Sequence, residues 1–156
     1  MQIHSLDLAD FSEDKYSLIC IHSALEDYKM AYLLNQKLGT SFMKSEESLD
    51  FKNKKNNASF PVYEYKNSTF SSDWFLISNQ FTNDMKETSD GLFRSNEVTM
   101  YLIPEKKKVD YFLKLIGDFD FDGIVKIINQ INTMNHVITS YTINPNILKS
   151  KEFLIF

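Results

Sequence analysis

The 156 residues carry 21 acidic against 17 basic side chains, a net charge of −4, and are 43% hydrophobic with 13 phenylalanines. That supply of apolar side chains suits one core and excludes a disordered chain, while the acidic balance, with Arg94 as the single arginine, gives no general attraction for nucleic-acid phosphate. One cysteine, Cys20, excludes an intrachain disulfide, and four glycines leave little material for phosphate-cradling loops.

In chain order, "MQIHSLDLAD" is acidic and lacks the basic and apolar regions of a signal peptide. No apolar run approaches the roughly 20 residues that cross a bilayer, so a cytoplasmic protein with no membrane association is expected. Residues 16–22, "YSLICIH", predict a strand. Ser23, with Glu26 three residues on, matches a capping box and predicts a helix from residue 24 to a left-handed stop at Gly39. Leu25, Tyr28, Ala31 and Tyr32 would form its apolar stripe, widened by Leu34 and Leu38.

Residues 41–51 read as an edge strand and 52–59 as a polar loop. Residues 60–66 and 74–81 read as strands around the turn-rich "NSTFSSD", with Pro61 near a strand start or edge because it cannot donate to a ladder. Residues 82–96 are polar and irregular and predict a mobile loop. Residues 98–103 form a further strand. Ile124, Ile127, Ile128 and Ile131 mark the buried face of a helix over 120–132, followed by a strand at 136–143 and a break at Pro145.

Residues 104–117 satisfy two templates. As a helix, Pro104 would sit at the first position and Gly117 just past the end; as a strand, Val109, Tyr111, Leu113 and Leu115 would share one face. The neighbours favour the strand: 98–103 and 108–116 would form a hairpin with "PEKKK" as its loop, and a β-α-β run would follow. The expected fold is a single α+β domain over 1–156, an antiparallel-rich sheet with two main helices packed on it.

The chemistry is sparse. "DFDFDG" places Asp118, Asp120, Asp122 and Gly123 as in the first half of an EF-hand loop, but the twelfth position is Asn129 and cannot supply the bidentate carboxylate. These aspartates read better as a cap of the second helix. His4, His22 and His136 lie apart without zinc-ligand spacing. Cys20 lies between two isoleucines and reads as a core thiol, although Cys20 and His22 share a strand face as a dyad would. Glu13 with Asp14 and Glu46 with Glu47 read as solvated surface. No catalytic, cofactor-binding or metal-binding residue is assigned. The two candidate contact features are the basic tip Lys106, Lys107 and Lys108, and the tail Phe153, Leu154, Ile155 and Phe156, whose side chains call for cover from their own domain, a second copy or a partner.

The run "IPEKKKVDY" resembles the signature of the IPExxxVDY family, with Ile103, Pro104, Glu105, Val109, Asp110 and Tyr111 matching every fixed letter. "LEDYKMAYLLNQKL" and "LKSKEFLIF" extend the likeness. The resemblance implies a bacterial protein of about this size, mainly of the Bacteroidota, and carries over no catalytic residue, cofactor or substrate. The leading expectation is a non-catalytic protein acting through protein–protein interaction, with a protein partner or as a homodimer. The alternative is an enzyme or small-ligand-binding domain with a pocket near residues 82–96, and an RNA-associated role is weaker still.

Overall fold

Strand β1 (Tyr16–Ser23) buries four consecutive residues, Leu18 to Ile21, which requires cover on both faces. The computed structural model, which describes residues 15–52, 57–86 and 95–156, supplies that cover. After β1 come α1 (Asp27–Leu38), β2 (Met43–Lys44), β3 (Leu49–Lys52), β4 (Asn57–Phe60), β5 (Val62–Asn67), β6 (Ser72–Ser78), β7 (Gln80–Lys86) and β8 (Ser95–Tyr101). A 3-10 turn at Pro104–Lys106 then leads to β9 (Tyr111–Ile116), α2 (Phe121–Asn132) and β10 (Val137–Ile143). Two more 3-10 turns, Pro145–Ile147 and Lys151–Leu154, end the chain. No helix among the described residues is long and apolar enough to cross a membrane.

The main sheet runs β10–β1–β9–β6–β5–β2 with antiparallel pairing throughout. Successive side chains take opposite faces. Ile19, Ile21, Leu113 and Leu115 meet Met30, Ala31 and Leu34 of α1 and Ile124, Ile127 and Ile131 of α2. On the other face, Leu18, Cys20, Ile77 and Phe112 meet Phe60 of β4, the buried Leu102, Ile103 and Val109, and Leu148 and Leu154 from the end of the chain. The expected α+β domain, an antiparallel sheet with two helices, is therefore present. The β-α-β run is present too: β9 and β10 both lie antiparallel to β1, so they run parallel with β1 between them.

Several local expectations need correction. No hairpin flanks "PEKKK", because β8 pairs with β7 while β9 is occupied on both edges by β1 and β6. Residues 82–86 and 95–96, expected within a loop, belong to the paired ribbon of β7 and β8; the strand expected at 98–103 is present over 98–101, and 87–94 lie outside the described residues. Polar strands that cover one face of another sheet lack the hydrophobic alternation on which the loop reading relied. The run 74–81 is broken at Asn79 into β6 and β7. Residues 49–52 and 57–60 pair as two strands, so Lys52 and Asn57 to Ser59 of the expected 52–59 loop are strand, while 53–56 lie outside the described residues. Of the edge strand expected over 41–51, Met43–Lys44 lies at one edge of the main sheet, whose other edge is β10.

Helix α1 starts at Asp27 with Glu26 as its cap residue and no side-chain cap, so the capping box does not form. Ser23 is the last residue of β1 and its groups are engaged elsewhere: the amide donates to Asp110 Oδ2 and the hydroxyl to the His136 carbonyl. Gly39 is left-handed, φ 66°, and closes the helix onto the Asn35 carbonyl as predicted. The expected stripe holds at Ala31 and Leu34, which are buried, and fails at Tyr28 and Tyr32, which are 55% and 61% exposed, with Met30 buried in their place. Phenol groups gain from staying in water, and unbranched or aliphatic side chains fill the core without a polar atom.

Candidate functional site

Each of the six fixed residues of the "IPEKKKVDY" run has an identifiable structural task. Ile103 and Val109 are buried in the second-face core. Pro104 opens the 3-10 turn, where its missing amide costs nothing. Glu105 reaches the end of the chain, accepting from the Ser150 amide at 2.8 Å and the Ser150 hydroxyl at 3.0 Å. Asp110 accepts from the Ser23 amide at 2.7 Å, and the Tyr111 hydroxyl donates to the Leu25 carbonyl just before α1. The run thus ties β1, the entry to α1 and the C-terminal segment to one turn.

At the centre of this turn is Asn79, fully buried and not singled out by the sequence reading. Its Nδ2 donates to the carbonyls of Lys106 (2.9 Å) and Val109 (2.8 Å), and its Oδ1 accepts from the Ile103 amide (2.8 Å). Its backbone adds bonds to Asp110 and Leu102. The available signal was an amide in the apolar run "WFLISNQF", where a polar side chain survives only if paired.

A cleft of about 330 Å³ opens beside the signature, lined by Asp110, Tyr111, residues 23–27 and the first residues of β7, Gln80 to Thr82. Burial raises the Asp110 carboxyl above its ordinary value, opposed by the Ser23 amide and by His22. Burial, helped by Asp27, pushes the Tyr63 phenol up to about 12, and burial drives Tyr111 higher still. Both phenols are therefore hydrogen-bond donors at neutral pH. The cleft offers the half-buried carboxylates of Asp27 and Asp110 and the Tyr111 phenol, and among the described residues that line it there is no nucleophile with a base and an orienting partner.

Cys20 is inaccessible, and burial pushes its thiol up to about 12 against a lowering by Lys106. The thiolate needed for nucleophilic attack is not available there. His22 instead pairs through Nε2 with the Tyr141 hydroxyl at 2.9 Å, so the dyad does not form. Asp120 caps α2 by accepting from the Gly123 amide at 2.7 Å. Among the described residues no group of three or more His, Cys, Asp or Glu side chains could hold a metal ion. His4, Glu13 and Asp14 lie outside the described residues.

The two contact candidates come together. Lys107 and Lys108 are exposed, Lys106 is half-exposed, and the bonds from Ser150 to Glu105 bring the C-terminal segment to their turn. The segment packs on its own domain as a 3-10 turn and not as an edge strand. Leu154 is buried, Phe153 meets Phe51 edge-on at 4.8 Å, and Phe156 meets Phe75 at 5.2 Å. Ile155 and Phe156 keep about half of their surface, 53% and 48%. Beneath them the ammonium of the buried Lys114 donates to the Leu154 carbonyl at 2.6 Å and lies over the rings of Phe156 (4.4 Å) and Tyr16 (4.8 Å). A cleft of about 190 Å³ borders this cluster, lined by Lys15, Lys151, Asn144, Asn146 and Phe156 among others.

No protein-family model, no curated protein and no solved structure matches the chain.

Proposed function

We propose that this is a non-catalytic, cytoplasmic protein that binds an acidic and partly apolar surface of another protein. The observation that carries the reading is the double hydrogen bond from Ser150 to Glu105, which ties the C-terminal segment to the lysine turn. Lys106, Lys107, Lys108, Lys149 and Lys151 then accompany the half-exposed Ile155 and Phe156, on a chain whose net charge is −4. A local basic patch on an acidic body steers acidic partners toward it. The exposed apolar groups supply the contact that charge alone does not give.

The test is cross-linking in native cells followed by mass spectrometry, comparing the natural chain with a K107E/K108E/F156S variant. The expected result is one acidic partner linked through Lys107, Lys108, Lys149 or Lys151, lost in the variant and weakened by salt. Links to nucleic acid, or a monodisperse monomer with no partner at low salt, would overturn the reading. Cell fractionation tests the location.

We further propose membership of the IPExxxVDY family, with the signature serving as a folding device. Finding, in another protein carrying the signature, that the turn is not bound to a buried amide side chain would count against this. The second reading, a small ligand in the Asp110 cleft, is favoured by one observation, the half-buried carboxylate. Asp110→Asn separates the two: the amide oxygen still accepts from Ser23, so a structural role predicts unchanged stability and partner binding, whereas a ligand-binding role predicts loss of function in a folded protein.

A further inference from the structure

Strand β10 closes one side of the main sheet, and among the described residues its only strand neighbour is β1. Its sequence, "VITSYTI", has no charge and no proline, and Ile138 is 78% exposed. Natural edges of this length are usually protected by lysine, proline or a bulge. β10 has neither lysine nor proline, and its one irregularity is at Ile138, which the shift in register between His22 and Ser23 leaves without a partner on β1, while residues 139–143 pair regularly. The register explains how this one is protected. The Ile21 carbonyl accepts from Asp110, on the β9 side, so the backbone groups of its partner Ser140 point away from β1 to the open side. There the side chain of Asn132, the last residue of α2, meets them: Oδ1 accepts from the Ser140 amide at 2.7 Å, and Nδ2 donates to the Ser140 carbonyl at 3.3 Å. The Ser140 hydroxyl also donates to Oδ1, at 2.9 Å.

We infer that Asn132 stands in for a missing neighbour strand, and that it guards an edge whose occupant, once the guard is removed, is a second copy of this chain. A primary amide reproduces the donor and acceptor of a peptide group, so one side chain occupies the midpoint of the edge. Without it, antiparallel pairing of two β10 strands about Ser140 would set Thr139 against Tyr141 within the regular part of the strand. Every such pair is uncharged, and the sheet would continue through the two-fold axis. An unrelated peptide would need its own complementary pattern, whereas the second copy supplies it by symmetry.

The experiment is sedimentation of the full chain over a range of concentrations. N132A is expected to shift from the natural protein's mass to twice that mass, and N132A/I138K to return to it, because a lysine on an edge opposes strand addition. A folded N132A that sediments as the natural protein does overturns the inference, and so does a dimer that I138K leaves intact. Appearance of the same dimer on deleting residues 2–14 alone would make the N-terminal segment the guard and equally overturn it. Should N132A fail to fold, hydrogen exchange in the natural chain decides: the Ser140 amide is expected to exchange more slowly than that of Thr142, whose backbone faces the same open side, and equal rates reject the guard.

Discussion

At the residue scale the signature turn depends on a side chain outside the signature. Asn79 satisfies two carbonyls and one amide in a site with no access to water. Each group left unpaired in such a place costs about 1–3 kcal/mol, and the three share one side chain, so their costs do not simply add. Asn79→Ala is therefore expected to lower the unfolding free energy by about 3 kcal/mol or more, read as a fall in the urea midpoint. Asn79→Asp should be worse, since a carboxylate would face the carbonyls of Lys106 and Val109. A loss below about 1 kcal/mol for Asn79→Ala would mean that water or a relaxed turn replaces these bonds. Sequence alone singled out the six signature letters but not their common anchor, because pairing over 24 to 30 residues leaves no local pattern.

Elements show where pattern reading succeeds and where it fails. The isoleucine stripe of α2 was legible because its opposite face is polar, and Asp120 was legible as a cap because a short carboxylate before an apolar-periodic run has few other uses. In α1, two apolar stripes compete, one headed by tyrosines and one by Met30 and Leu34; periodicity cannot rank them, but the demand of a phenol for a polar partner can. The two readings make opposite predictions. Met30→Ala is expected to cost about 2–5 kcal/mol through loss of buried methylenes and the cavity left behind. Tyr28→Ser and Tyr32→Ser should each stay within about 0.5 kcal/mol. Chemical denaturation of the three variants decides, and a larger loss for either tyrosine than for Met30 would reverse the assignment of the buried face. Of the β7–β8 ribbon, the strand at 98–101 was legible but residues 82–86 and 95–96 and the pairing were not, because their polar composition carries neither alternation nor a tight two-residue turn signal.

At the scale of the whole molecule both faces of the sheet are closed by buried groups that titrate in the alkaline range. Cys20 lies on the face covered by the C-terminal segment, and Tyr63 and Tyr111 lie on the helix face. All three are pushed upward, mainly by burial: the thiol from 9.0 to about 12, the Tyr63 phenol from 10.0 to about 12, and the Tyr111 phenol further. Between the ordinary and the raised value the unfolded chain has released a proton that the folded chain still holds. Unfolding is then favoured by rising pH. Their contribution is complete below pH 9.0, where Cys20 ionises when unfolded, and declines from there to about pH 12. The urea midpoint is expected to fall across that window, and Cys20→Ala should delay the onset toward pH 10.0, where only the phenols remain. Native Cys20 should also resist alkylation at pH 8 until the chain is unfolded. A natural chain whose midpoint holds steady to pH 11, or a thiol that reacts in the folded state, would show that one covering layer is open to water. The same closure bears on partner binding: with Leu154 in the core and Lys114 held beneath the tail, removing residues 149–156 would expose the second face. The contact surface is therefore best probed by single substitutions at Lys107, Lys108 and Phe156, which leave that cover in place.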